Sequence, residues 1–108
     1  MVIYLKIKEG ILKDEFISLD TLEVDFGNTT FYILGGYGGF AMCGALNVDV
    51  YNSEKMKDRR VICMRALGVH SLEELYEAKI AEVSSYALSL GITKEMRVSD
   101  AFKILAFK

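Results

Sequence analysis

Four glycines, Gly35, Gly36, Gly38 and Gly39, fall within five positions at the centre of Phe31–Asn52, FYILGGYGGFAMCGALNVDVYN. Backbone at such a cluster can take positive φ or approach another group closely, at an entropic cost to folding. An apolar β-rich run enters the cluster and another leaves it. The spacing predicts a hairpin, with Thr29–Leu34 as one strand, a loop around Tyr37, and Phe40–Cys43 as its partner. A second reading is a phosphate loop, because Gly36-Tyr37-Gly38-Gly39-Phe40-Ala41 fits G-x-G-x-x-A after a strand. That match is weak: nearly thirty β-rich residues come first, and no capped helix opens at Ala41-Met42-Cys43. No G-x-x-x-x-G-K-[ST] occurs, which leaves a Walker-type nucleotide site unsupported.

The remaining chain has room for one core and no more, with 108 residues, 52% of them hydrophobic and none of them proline. A mean hydropathy of +0.24 is high for so small a chain. It implies more apolar surface than one core hides, so a homo-oligomer, most simply a two-fold dimer, is expected. No apolar run is long enough to span a bilayer, and Met1–Ile7 alternates with lysines instead of forming a signal-peptide core. Cys43 and Cys63 sit far apart in apolar runs, as reduced core thiols do. A cytoplasmic protein with no membrane partner is the expectation. A net charge of −2 gives no general field for nucleic acid.

The periodicity divides the chain in two. Val2–Lys8 alternates as a half-buried strand, Glu9-Gly10 reads as a turn, and Leu22, Val24 and Phe26 alternate before a turn at Gly27-Asn28. With the glycine hairpin these make an antiparallel meander. Ala45–Tyr51 fits either a strand by period two or a helix running towards Met56; the helix is preferred, although Val48 and Val50 weaken it. Val61–Leu67 reads as a further strand. Ser71 with Glu74 forms a capping box for a helix from Leu72. Ile80, Val83, Ala87 and Leu90 recur at helical spacing before Gly91, predicting a helix over Lys79–Leu90, and Ser99 is placed as the cap of a last helix burying Phe102 and Leu105. The fold class is therefore α+β: a single domain over residues 1–108, with an N-terminal antiparallel meander, one further strand, and C-terminal helices packed on the sheet.

The sequence names no activity, cofactor or metal site. Cys43 could serve as a nucleophile beside glycine-rich backbone, but a buried small hydrophobe explains it as simply. Its one possible imidazole partner, His70, follows a different strand. Cys43, Cys63, His70 and Asp49 could offer four metal ligands, with no spacing that fixes a pair. Lys55–Arg65 concentrates bases, so Gly36, Gly38, Asn47, Arg59, Arg60 and Arg65 form a candidate site for a small anionic ligand. Arg59 and Arg60 facing water, and Arg65 pairing with an acid, is the plainer arrangement. Ala87-x-x-x-Gly91 imitates a helix-turn-helix junction, yet acids outnumber bases from Ser71 to Lys108. Two function classes follow: a non-catalytic ligand- or partner-binding module, placed first, and a small enzyme or anion-binding protein built near Gly35–Gly39, Cys43, Asn47 and the arginines.

Met42-Cys43-Gly44-Ala45-Leu46-Asn47-Val48, then Lys57-Asp58-Arg59, Arg65-Ala66-Leu67-Gly68-Val69, Ser71-Leu72-Glu73-Glu74-Leu75 and Ala87-x-x-Leu90-Gly91-Ile92 occur in this order. On these motifs the chain resembles the YunC-like family of uncharacterised bacterial and archaeal proteins. Asn47 departs from the pattern, where an acid is expected. The resemblance implies a small cytoplasmic α+β protein and carries no activity with it.

Overall fold

Alternating apolar and polar residues make the first half of the chain a sheet, and the order of its strands follows from three short turns. The computed structural model describes residues 5–27, 29–44, 52 and 59–107. Strand β1 (Lys6–Lys13) turns into β2 (Ser18–Asp25), then β3 (Thr30–Gly36) and β4 (Gly39–Met42), each antiparallel to the last. Asp14 closes the first turn: its Oδ1 accepts from the Phe16 and Ile17 N–H groups at 2.8 and 3.0 Å. Asp25 does the same work at the second, accepting from Gly27 N–H at 2.8 Å. At the third, Tyr37 and Gly38 have φ of 56° and 84°, the pair of positive angles that a two-residue primed turn requires. Tyr37 also accepts the Ser18 N–H on its hydroxyl at 3.1 Å, which holds the turn back against β2.

The meander is followed by β5 (Ile62–Arg65), parallel to β4, and β6 (Glu82–Val83), antiparallel to β5. The sheet therefore runs β1-β2-β3-β4-β5-β6. Three helices, α1 (Leu72–Glu77), α2 (Ser85–Ser89) and α3 (Val98–Ala106), complete an α+β domain among the described residues. Register separates the two faces. Leu12, Leu19, Leu34, Ala41 and Met64 point to the helical face, where they pack with Leu75 of α1 and Phe102 and Leu105 of α3. Their neighbours Ile7, Ile11, Leu22, Val24, Phe31 and Ile33 point to the opposite face, as do Met42 and Cys63.

Three expectations from periodicity are corrected. The first strand does not turn at Glu9-Gly10 but continues to Lys13; Gly10 lies opposite Thr21, whose Oγ1 would meet an added Cβ at 3.0 Å, so the glycine permits close approach. The helix expected over Lys79–Leu90 is broken up by tertiary hydrogen bonds. Ile80 N–H bonds to Met96, Ala81 N–H to Arg65 and Ser84 N–H to Cys63, so β5 draws Glu82–Val83 into the sheet. Only Ser85–Ser89 is helical, capped by Ser84 and closed at Gly91 (φ 96°) by paired bonds from Gly91 to Leu88 and from Ile92 to Ala87. Ser99 is not a cap: α3 begins at Val98 after Arg97, and Ser99 is buried within the helix. The capping box at Ser71 is present, with Glu74 N–H donating to Ser71 Oγ at 3.0 Å, while the Glu74 carboxylate reaches back to His70 N–H at 3.2 Å. Ala45–Tyr51 lies outside the described residues.

Candidate binding cleft

Turn geometry and close packing account for three of the four clustered glycines, Gly36, Gly38 and Gly39. Gly38 supplies the turn, and an added Cβ at Gly36 would stand 2.9 Å from Leu19 Cδ2. At Gly39 it would meet Ile62 Cγ2 at 2.8 Å and Leu105 Cδ1 at 2.9 Å. Parallel pairing of Gly39 with Ile62 and Met42 with Arg65 then fixes where the candidate residues fall. Arg59 and Arg60, both exposed, lie at the end of the sheet that holds Gly36 and Gly38. Cys43 and Arg65 lie at the other end, beyond the roughly 10 Å that separates the Gly39–Ile62 pair from the Met42–Arg65 pair at ~3.3 Å per strand residue. The proposed anion-site residues are thus divided between two ends. Asn47 and Asp49 lie outside the described residues.

Arg65 is engaged. Its Nη1 is 2.5 Å from Glu82 Oε1, directly across the β5–β6 pair, and its Nη2 donates to the Gly44 carbonyl. With side chains 22% and 33% exposed, this pair is partly shielded from solvent, and it fixes the chain as it leaves β4. The Arg65 guanidinium is a brace between β4, β5 and β6.

A cleft of about 550 Å³ opens at this same end of the sheet, and Cys43 and His70 both line it. Asp25, Thr30 and Tyr32 contribute from the β2–β3 pair and Gly68 from the loop after β5. Each wall has a local cause. Cys43 N–H donates to the Tyr32 carbonyl at 3.1 Å, and Ala66 N–H to the Met42 carbonyl at 3.0 Å, so the ends of β3, β4 and β5 are held level. Gly68, at φ 73°, reverses the chain, and the α1 cap then places His70 on the rim. Asp25, Thr30 and Tyr32 also line a smaller groove of about 210 Å³ with Lys6, Lys8 and Glu23. In that groove Lys6 stands across from Asp25 and Lys8 across from Glu23. The combined surface carries carboxylate, hydroxyl, imidazole and ammonium groups, suited to a polar molecule presenting both donors and acceptors.

The second cysteine is in a different place. Cys63 is on the opposite face with Met42, its N–H donating to Ser84 Oγ at 3.1 Å, and burial pushes its thiol up to about 11. It does not join Cys43 and His70, and no group of three or more His, Cys, Asp or Glu side chains suited to a metal ion occurs among the described residues. Sequence reasoning weighed Cys43 and His70 as a possible pair that required a tertiary contact, and the cleft supplies a shared lining. The same reasoning missed Asp25 and Tyr32, whose signal was only their place on paired strands, Asp25 opposite Thr30 and Tyr32 opposite Glu23.

A six-stranded mixed sheet with helices on one face and a polar cleft at the end of its parallel pair defines a small α+β domain. The family model described as "Domain of unknown function (DUF1805)" matches residues 42–105, and the chain belongs to that family. It is 36% identical over 78 residues, 72% of this chain and 76% of the relative, to "Uncharacterized protein YunC" of Bacillus subtilis (strain 168). Among solved structures it is similar to a protein of unknown function, TA1206, from Thermoplasma acidophilum. That match has a TM-score of 0.79, 25% identity and coverage of 94% of both chains. No helix among the described residues is long and apolar enough to cross a membrane.

Proposed function

We propose that the domain is a non-catalytic binding module that holds a small polar molecule in the cleft between Asp25, Tyr32, Cys43 and His70. The observation that carries this reading is that those four residues, from the end of β2, from β3, from the β4 exit and from beside the α1 cap, line one cavity of about 550 Å³. That volume lies within the range of small-ligand sites. The carboxylates of Asp25 and Glu23 along the surface favour a ligand with donor groups over a bare anion. Two free cysteines fit a reducing, cytoplasmic setting, and exposed apolar side chains on β1 support a homo-oligomer.

A screen of small polar molecules by thermal shift tests the reading. A ligand present at a hundred times its Kd stabilises the folded state by about 2.7 kcal/mol, a shift of several degrees for a domain of this size. The shift should vanish in Asp25→Asn and His70→Ala. A ligand that stabilises these variants as much as the parent would place binding elsewhere.

The small-enzyme reading is favoured by one observation, the shared cleft of Cys43 and His70. It requires a thiolate at neutral pH. Alkylation of Cys43 that accelerates through the imidazole range and loses that step in His70→Ala would support it; a plain thiol profile unchanged by His70→Ala would remove it. The anion reading is confined to the other end of the sheet, where phosphate should move the amides of Gly38, Arg59 and Arg60.

A further inference from the structure

Among the described residues β1 is the long free edge of the sheet: eight residues at one end of the strand order, against two in β6 at the other. Which of its backbone groups are unpaired follows from one hydrogen bond. Asp14 N–H donates to the Ile17 carbonyl at 3.0 Å, so the even-numbered residues of β1 face β2 in the ladder and the odd-numbered ones face outward. The outward N–H and C=O groups therefore belong to Ile7, Glu9, Ile11 and Lys13. Ile7 and Ile11 are also 56% and 64% exposed on the non-helical face. Ile7 continues an apolar row through Val24 to Phe31, while Leu22 stands opposite Glu9 and Asp20 opposite Ile11. Leu5, 49% exposed, lies on the same side. A sheet edge with unmet hydrogen bonds and an apolar flank is a template for another strand.

Lysines commonly guard such edges, but Lys6 and Lys8 point to the helical face, where Asp25 and Glu23 stand opposite them. On the other face Ile7 and Ile11 alternate with Glu9 and Lys13, so a partner strand must match charge as well as apolar surface.

We propose that the occupant is β1 of a second copy, paired antiparallel about a two-fold axis normal to the sheet, which joins two six-stranded sheets into one. This deepens the homo-oligomer reading given above and rests on it. A two-fold axis of that kind keeps like faces together, and among such registers the charges discriminate. Setting Ile7 opposite Ile11 of the second copy puts Glu9 against Glu9, and setting Leu5 opposite Ile11 puts Lys8 against Lys8, both repulsive. Crossing at Gly10 avoids both, as does crossing at Ile11, which sets Glu9 opposite Lys13. Of these two, only the Gly10 register keeps every outward group from Ile7 to Lys13 within the paired strands, with Glu9 beside Ile11, Ile7 beside Lys13 and Lys6 beside Asp14 of the second copy.

Amide hydrogen exchange on the wild-type chain, run alongside light scattering, tests the proposal. The Ile7, Glu9, Ile11 and Lys13 amides point away from β2 and have no ladder acceptor among the described residues, so pairing with a partner strand should protect them. The expected result is a dimer mass with those amides slowed by about a hundredfold, the protection falling on dilution. Glu9→Pro removes an outward donor while sparing the β1–β2 ladder, a place where an edge strand tolerates proline. It should give a monomer with unchanged circular dichroism. A dimer with fast outward amides, or one that survives Glu9→Pro, overturns the edge assignment and leaves self-association standing. A monomer at high concentration overturns both. If Glu9→Pro does not fold, the wild-type exchange pattern decides alone.

Discussion

Tyr76 donates its phenolic hydrogen to the Asp14 carboxylate, tying α1 to the β1–β2 turn across 62 residues of chain. The same carboxylate accepts from Phe16 and Ile17 N–H, and Lys103 of α3 lies 3.9 Å away. One aspartate thus links the meander to two helices that cover it. The Tyr76 hydroxyl, then the Phe16 and Ile17 amides, hold the Asp14 carboxyl below its ordinary 3.8, while burial followed by Asp14 pushes the Tyr76 phenol up.

A carboxylate whose folded pKa is lowered stabilises the fold above its unfolded value, and that contribution is lost as pH falls through the lowered folded value. The urea midpoint should therefore drop on acidification below about pH 4. Tyr76→Phe removes the largest cause of the shift, so it should lower the midpoint near neutrality and flatten the acid limb. A parent midpoint that does not change in acid, or an acid limb equally steep in Tyr76→Phe, would contradict the link.

Ser84 is buried and serves three partners: its hydroxyl donates to the Val61 carbonyl at 2.7 Å and accepts from Cys63 and Ala87 N–H at 3.1 and 3.4 Å. Ser84→Ala leaves those groups unmet where water is excluded, and it should destabilise the domain by about 1–3 kcal/mol. Denaturant titration measures it. Ser85→Ala, at an exposed neighbour, should fall within about 0.5 kcal/mol of the parent.

Glycine substitutions should separate turn from packing. Gly39→Ala pushes a methyl into Ile62 and Leu105 and should cost about 1–3 kcal/mol by overpacking. Gly38 has open space around its added Cβ but φ of 84°, so Gly38→Ala should destabilise through backbone strain of about 1–2 kcal/mol, and Gly38→Asn by less. Equal effects for Ala and Asn at Gly38 would argue against the primed turn.

The two thiols should differ in reactivity. Cys43 lines the cleft with 6% exposure, whereas Cys63 is fully buried and its thiol is pushed up to about 11. At about pH 8, a thiol reagent added to the folded protein should modify Cys43 first and Cys63 only at the rate of unfolding. Mass spectrometry of the peptides reads the order, and prior modification of Cys63 would reverse the assignment.

Local chemistry made the meander legible. Alternation, the Gly27 turn and the glycine cluster each act within a few residues, and Thr29–Leu34 with Phe40–Cys43 pairs much as spacing implied. The helix over Lys79–Leu90 was misread because Ile80, Val83 and Ala87 keep helical spacing while the N–H groups of Ile80, Ala81 and Ser84 bond to Met96, Arg65 and Cys63, partners that sequence periodicity does not encode. Gly10 was misread because a glycine needed for close approach looks like one needed for a turn. The arginine group resolves for a similar reason: charge density in the chain does not reveal that Arg65 is bound to Glu82 or that Arg59 lies at the other end of β5. Cys43 and His70 drew attention for their chemistry alone; the cleft they share depends on a parallel β4–β5 pair that no local pattern announced.

The most direct test of the central claim is a map of backbone amide shifts as small polar molecules are titrated into the protein. The account predicts saturable shifts gathered on Asp25, Thr30, Tyr32, Cys43, Gly68 and His70, lost in Asp25→Asn. Shifts gathered instead on Gly38, Arg59 and Arg60, or a cleft whose amides stay still under every ligand that binds, would contradict it.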